Sequence, residues 1–82
     1  MKEIVVSIFV LSLQEEYDVF LPVSINVKEA ISLIQDFLVE LSQENYEKKD
    51  KVYLYNEDGF VINENNPVKY SGLKNGSKVV LM

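Results

Sequence analysis

Glu3-Ile4-Val5-Val6-Ser7-Ile8-Phe9-Val10-Leu11 stands near the start of the sequence, and Lys78-Val79-Val80-Leu81 near its end. Both runs have the β-branched composition of strands. Side chains alternate along a strand, so Ile4, Val6, Ile8 and Val10 share one face of the first run. Glu3, Val5, Ser7, Phe9 and Leu11 share the other. A strand that is apolar on both faces belongs inside a sheet rather than at its edge. The two runs are therefore expected side by side, in parallel, at the sheet centre.

The other elements follow from that pair. Polar residues 12–16 form a turn, and Tyr17, Val19 and Leu21 alternate with Asp18 and Phe20 to close a hairpin. Pro22 ends this second strand, because proline cannot donate to a ladder. Asn26 is a suitable helix N-cap, and Glu29 three residues later completes a capping-box pattern. Val27, Ala30, Ile31, Ile34, Leu38 and Leu41 then recur at helical spacing as one stripe. Leu33 and Phe37 widen the stripe at the core edge, while Val39 points away from it. Ser42-Gln43-Glu44-Asn45 ends the helix, and a loop carrying Lys48, Lys49 and Lys51 follows. Val52-Tyr53-Leu54-Tyr55 reads as a strand, Asp58-Gly59 as a tight turn and Phe60-Val61-Ile62 as a short strand. Val68-Lys69-Tyr70 forms a helical turn, and Asn75-Gly76 turns into the last strand. Residues 1–82 make one α+β domain, a mixed sheet of four to five strands with one helix across one face.

Bulk properties restrict the chemistry. The 82 residues carry no cysteine and no histidine, which removes disulfides, thiolate nucleophiles, the commonest general base and the commonest metal ligand. A small secreted domain relies on staples; without them, a reducing cytosol is expected. The net charge is −5, and all eight basic residues are lysines. That balance disfavours nucleic acid and anionic membrane surfaces as partners. The first apolar run is far shorter than the ~20 residues of a membrane span, so no membrane insertion is expected. Glu3 beside Lys2, and the absence of an Ala-x-Ala-like site, disfavour a signal peptide.

The order hairpin, helix, short strands, terminal strand resembles the ubiquitin β-grasp along the whole chain. Ile4, Val6 and Ile8, Val19 and Leu21, Asn26-Val27-Lys28-Glu29-Ala30 and Asp58-Gly59 carry the resemblance. The closing Ser71-Gly72-Leu73-Lys74-Asn75-Gly76-Ser77-Lys78-Val79-Val80-Leu81 most resembles the YukD/EsaB family. These are small ubiquitin-like proteins that accompany bacterial type VII secretion systems. The resemblance implies a cytosolic adaptor or regulator whose protein partner is the secretion ATPase or another cytosolic component. It carries over no catalytic motif.

Conjugated members of this fold, and the sulfur carriers, end in a Gly-Gly tail whose unhindered carboxylate is activated. Val80-Leu81-Met82 provides no such tail, so no conjugation or sulfur transfer is expected. The alternatives are an interaction module of an unrelated complex, and a modifier or sulfur carrier whose Gly-Gly tail is absent here. Catalytic carboxylates need a pocket that shifts their pKa. Glu15-Glu16 adjoins a turn, Glu40 and Glu44 lie away from the apolar stripe, and Glu57-Asp58 sits in a tight turn. No enzyme is expected, nor any cofactor. Asn56, Glu57 and Asp58 lack the spacing of a calcium loop. Gly72 and Gly76 lack the strand–helix setting of a phosphate loop.

The helix covers one sheet face and leaves the other to water. Ile4, Val6, Ile8, Tyr17, Val19, Leu21, Val52, Leu54, Val79 and Leu81 are assigned inward. Val5, Phe9, Tyr53, Tyr55 and Val80 then point outward. Such a patch exceeds what most monomers leave bare, and stiff aromatic rings are favoured at interface centres. These five residues are the expected protein-binding site, for a partner or for a second copy in a homodimer.

Overall fold

The computed structural model describes residues 2–43 and 45–82. Glu44, read above as part of the helix end and as a partner of Glu40, lies outside the described residues, as does Met1. Strands β1 (Glu3–Val10) and β2 (Glu15–Pro22) form a hairpin. Helix α1 (Val27–Leu41) follows, then the short β3 (Leu54–Tyr55) and β4 (Ser77–Leu81). The sheet order is β2-β1-β4-β3. As expected, β1 and β4 are its central parallel pair, with Ile8 beside Val79 and Phe9 beside Val80.

One face of the sheet meets α1. Val6, Ile8, Val10, Leu21, Leu54 and Leu81 bury there against Val27, Ala30, Ile34 and Leu38. All the inward assignments hold, with Tyr17 only half-buried against the core. Fully burying an aliphatic side chain contributes about 1.5–3 kcal/mol each, so this stripe is the main source of stability.

Several expectations need correction. Asn26 has the extended backbone of an N-cap, but its side chain makes no capping bond. The amides of Val27 and Lys28 instead donate to the carbonyls of Asn66 and Glu64, both at 2.9 Å. A neighbouring turn thus satisfies the helix start, which local sequence does not encode. Leu41 is the last residue of α1 and is exposed. Val39 is partly buried against the core.

The expected strand at residues 52–55 pairs regularly only at Leu54–Tyr55. Residues 60–62 make no strand. The Tyr55–Val61 bridge and bonds from Asn56 N to Phe60 O (2.9 Å) and Ile62 N to Leu54 O (2.8 Å) hold them instead. Asn56 Oδ1 accepts from the amides of Asp58 and Phe60 at 2.9 and 3.0 Å. The side chain thus tightens the turn, the usual role of asparagine here. Val68–Tyr70 forms the expected helical turn.

Candidate functional site

Ladder register arranges the open sheet face in rows. Phe9 of β1, Val80 of β4 and Tyr55 of β3 stand side by side, and Val61 extends the row beyond Tyr55. The next row is set by two further contacts. Leu11 N donates to Leu81 O at 3.1 Å, and Tyr53 and Met82 exchange backbone bonds of 3.0 and 3.1 Å. Leu11, Met82 and Tyr53 therefore adjoin the first row. The result is one contiguous apolar surface at one end of the sheet.

Phe9, Val80 and Tyr55 are half-buried by one another, while Leu11, Tyr53, Val61 and Met82 are exposed. Of the five residues expected from sequence, four thus meet in this patch. Val5 does not. It pairs with Phe20 of β2 at the other end of the face. A polar row of Asp18, Ser7 and Lys78 lies between. Leu11, Val61 and Met82 are the residues that sequence reasoning missed, though Leu11 continues the odd-numbered face of β1 and Met82 the even-numbered face of β4. Val61 joins only because the 56–60 turn folds it back beside Tyr55.

A hydrogen-bonded loop holds the β3 side of this patch. Gln35 of α1 is 3% exposed. Its Nε2 donates to Lys49 O at 3.0 Å, and its Oε1 accepts from Lys49 N at 2.8 Å and the Tyr46 hydroxyl at 2.7 Å. Burial pushes the Tyr46 phenol above its usual range. On the surface, Lys48 Nζ pairs with Asp36 at 2.8 Å and donates to Ser32 Oγ at 3.0 Å. The loop that brings the chain to Tyr53 and Tyr55 is thus clamped to α1 from inside and outside. On the hairpin, the Tyr17 phenol is raised, first by its 3.0 Å hydrogen bond to Glu15, then by burial and the adjacent charge.

Leu33 and Phe37, expected at the core edge, are 49% and 37% exposed. They face a groove against β2. No helix among the described residues is long and apolar enough to cross a membrane.

No protein-family model matches the chain, and no curated protein matches it. Solved structures do. The EccD5 ubiquitin-like domain from Mycobacterium xenopi matches with TM-score 0.74 at 16% identity, over 100% of this chain and 94% of that one. The ubiquitin-like domain of the Mycobacterium tuberculosis type VII secretion system protein EccD1 gives 0.65 at 13%, over 100% and 99%. The fold is the ubiquitin-like β-grasp. A chain of the toluene 4-monooxygenase HD complex with the inhibitor 4-bromobenzoate gives 0.80 at 7% identity, over 98% and 96%. Chains of such different roles share this architecture, so the site must argue the function.

Proposed function

We propose that the chain is a ubiquitin-like protein-binding module that acts by docking another protein and not by catalysis. The observation that carries this reading is the unbroken row Phe9–Val80–Tyr55–Val61, backed by Leu11, Met82 and Tyr53. Rings and aliphatic groups from separate strands offer a rigid apolar centre. Glu16, in register with Phe9, and Lys78 stand at its rim. An apolar centre with a charged rim is the usual anatomy of a docking surface.

The partner we favour belongs to a bacterial type VII secretion apparatus, as its ATPase or another cytosolic component, with this chain as a cytosolic accessory of the YukD/EsaB kind. The closing segment at residues 71–81 and the likeness in fold to the EccD1 and EccD5 domains support that assignment. The likeness to the monooxygenase chain supports a second reading, an interaction module of an unrelated complex. Affinity purification of the tagged protein from its native cell separates the two. A secretion component should co-purify, and Leu11→Asp with Tyr53→Asp, both at exposed positions of the patch, should lose it while circular dichroism and melting stay near wild type. Recovery of the same component with the double variant would remove the open face. Recovery of components of another complex alone would remove the secretion assignment.

A further inference from the structure

Strand β2 is an edge strand eight residues long, and its backbone groups can be assigned one by one. Val23 N donates to Lys2 O at 3.1 Å. Antiparallel pairs alternate between bonded and non-bonded, so Leu21, Val19, Tyr17 and Glu15 bond to β1. The other side of β1 agrees. Val5 O accepts from Gly76 N at 2.8 Å, and Leu11 N donates to Leu81 O, so odd positions of β1 serve β4. The backbone groups of Glu16, Asp18 and Phe20 therefore point away from the sheet, ready for another strand.

Both sides of that edge are apolar near Phe20. Phe20 itself is 68% exposed on the open-face side. On the helix side lie Leu33 and Phe37, one turn apart, with Val19 and Leu21 as the groove floor. The charged residues that line the groove, Glu3 and Asp18, are both acidic, and Lys2 stands beyond Glu3, next to Val23. Glu3, Glu16 and Asp18 flank it on the hairpin. Glu29 lies one turn before Leu33, and Glu40 stands in the turn after Phe37. Among the described residues, no lysine lines the groove. An edge left acidic in this way repels a second copy of itself, as natural sheets do to avoid self-pairing. It attracts a strand of the opposite charge.

We infer that the β2 edge, with Leu33 and Phe37, is a second docking site, for an extended basic peptide segment of another protein that adds to the sheet as a fifth strand. Main-chain bonds to Glu16, Asp18 and Phe20 hold the segment, and side-chain alternation sets its sequence. Residues facing α1 are apolar, to lie on Leu33 and Phe37. On the open-face side, the residue beside Phe20 is apolar and those beside Asp18 and Glu16 are Lys or Arg. This site shares only Glu16 with the rim of the Phe9–Val61 row and uses its backbone edge, so failure here leaves the first reading standing.

The probe is a short acetylated peptide containing Val-Phe-Val-Lys-Val-Lys, made in both chain directions, with a control in which both Lys are Glu. Titration into the ¹⁵N-labelled protein should show binding below about 1 mM for a Lys peptide, and at least about tenfold weaker binding for the Glu control. At saturation the amides of Glu16, Asp18 and Phe20 should exchange with solvent at least about tenfold more slowly, the mark of new main-chain bonds. Binding should weaken as salt rises, because the charges are exposed. Leu33→Asp, at an exposed position, should weaken binding about tenfold or more with melting unchanged. Equal or tighter binding of the Glu peptide would overturn the inference. So would shifts confined to the Phe9–Tyr55 row, no binding of either Lys peptide up to about 1 mM, or sedimentation showing a second copy on the edge.

Discussion

Gln35→Leu should cost about 2–4 kcal/mol, although it replaces a polar side chain by an apolar one of similar size inside an apolar core. The amide joins three groups, the hydroxyl of Tyr46 and both backbone groups of Lys49. Tyr46 is only 4% exposed. Its hydroxyl, left without an acceptor, bears a desolvation penalty of about 1–3 kcal/mol. Lys49 is exposed, so water can replace most of what its backbone loses, leaving about 1 kcal/mol. Against a total stability of about 5–8 kcal/mol for a domain of this size, the loss is large. At about 4–8 °C per kcal/mol, melting should fall by roughly 10 °C or more. Tyr46→Phe alone should cost about 1 kcal/mol. The double variant removes both partners, so it should be more stable than the sum of the single losses by about 1 kcal/mol or more. Urea unfolding of all four proteins closes the cycle. A loss below about 0.5 kcal/mol for Gln35→Leu, or additivity within that margin, would refute the clamp.

The same phenol predicts a pH dependence. Burial raises the Tyr46 pKa above the ordinary 10.0, so the native state holds this proton after the unfolded chain has released it. That contribution is fully present below 10.0, and is lost as pH rises from there through the raised native value. Urea midpoints should fall over that range, and less steeply in Tyr46→Phe. Gly76 turns the chain into β4 at φ +86°, with nothing within 4 Å of where a Cβ would stand. Gly76→Ala should therefore cost about 1–2 kcal/mol through backbone conformation alone. Thermal melting reads that loss, and an unchanged melting temperature would contradict it.

Sequence and structure agree where one physical signal dominates. Alternation through Ile4, Val6 and Ile8, and again through Val19 and Leu21, gave the buried face of the hairpin correctly. The doubly apolar runs placed β1 and β4 together at the centre. Helical spacing found α1 to within its last turn. Agreement fails where a distant partner decides. The start of α1 is capped by backbone at Glu64 and Asn66 rather than by Asn26. Gln35 reads as a polar residue beside an apolar stripe until the loop at residues 46–49 covers it. The open-face patch was legible at Phe9, Tyr53, Tyr55 and Val80, from the odd–even pattern. Val61 was not, because its place depends on a turn. Val5 was grouped with them because alternation gives the face but not the position along it. The exposure of Leu33 and Phe37 depends on how α1 sits against the β2 edge, which no local pattern encodes, whereas alternation along β2 already turns Phe20 away from the core.

We propose the Phe9–Val61 row as the place where another protein docks. A photo-reactive side chain placed at Tyr55, and separately at exposed Tyr70 outside the row, tests it inside the native cell. Position 55 should give one discrete adduct, weakened by Leu11→Asp, and position 70 none. Adducts of equal yield from both positions, or from position 70 alone, would contradict it.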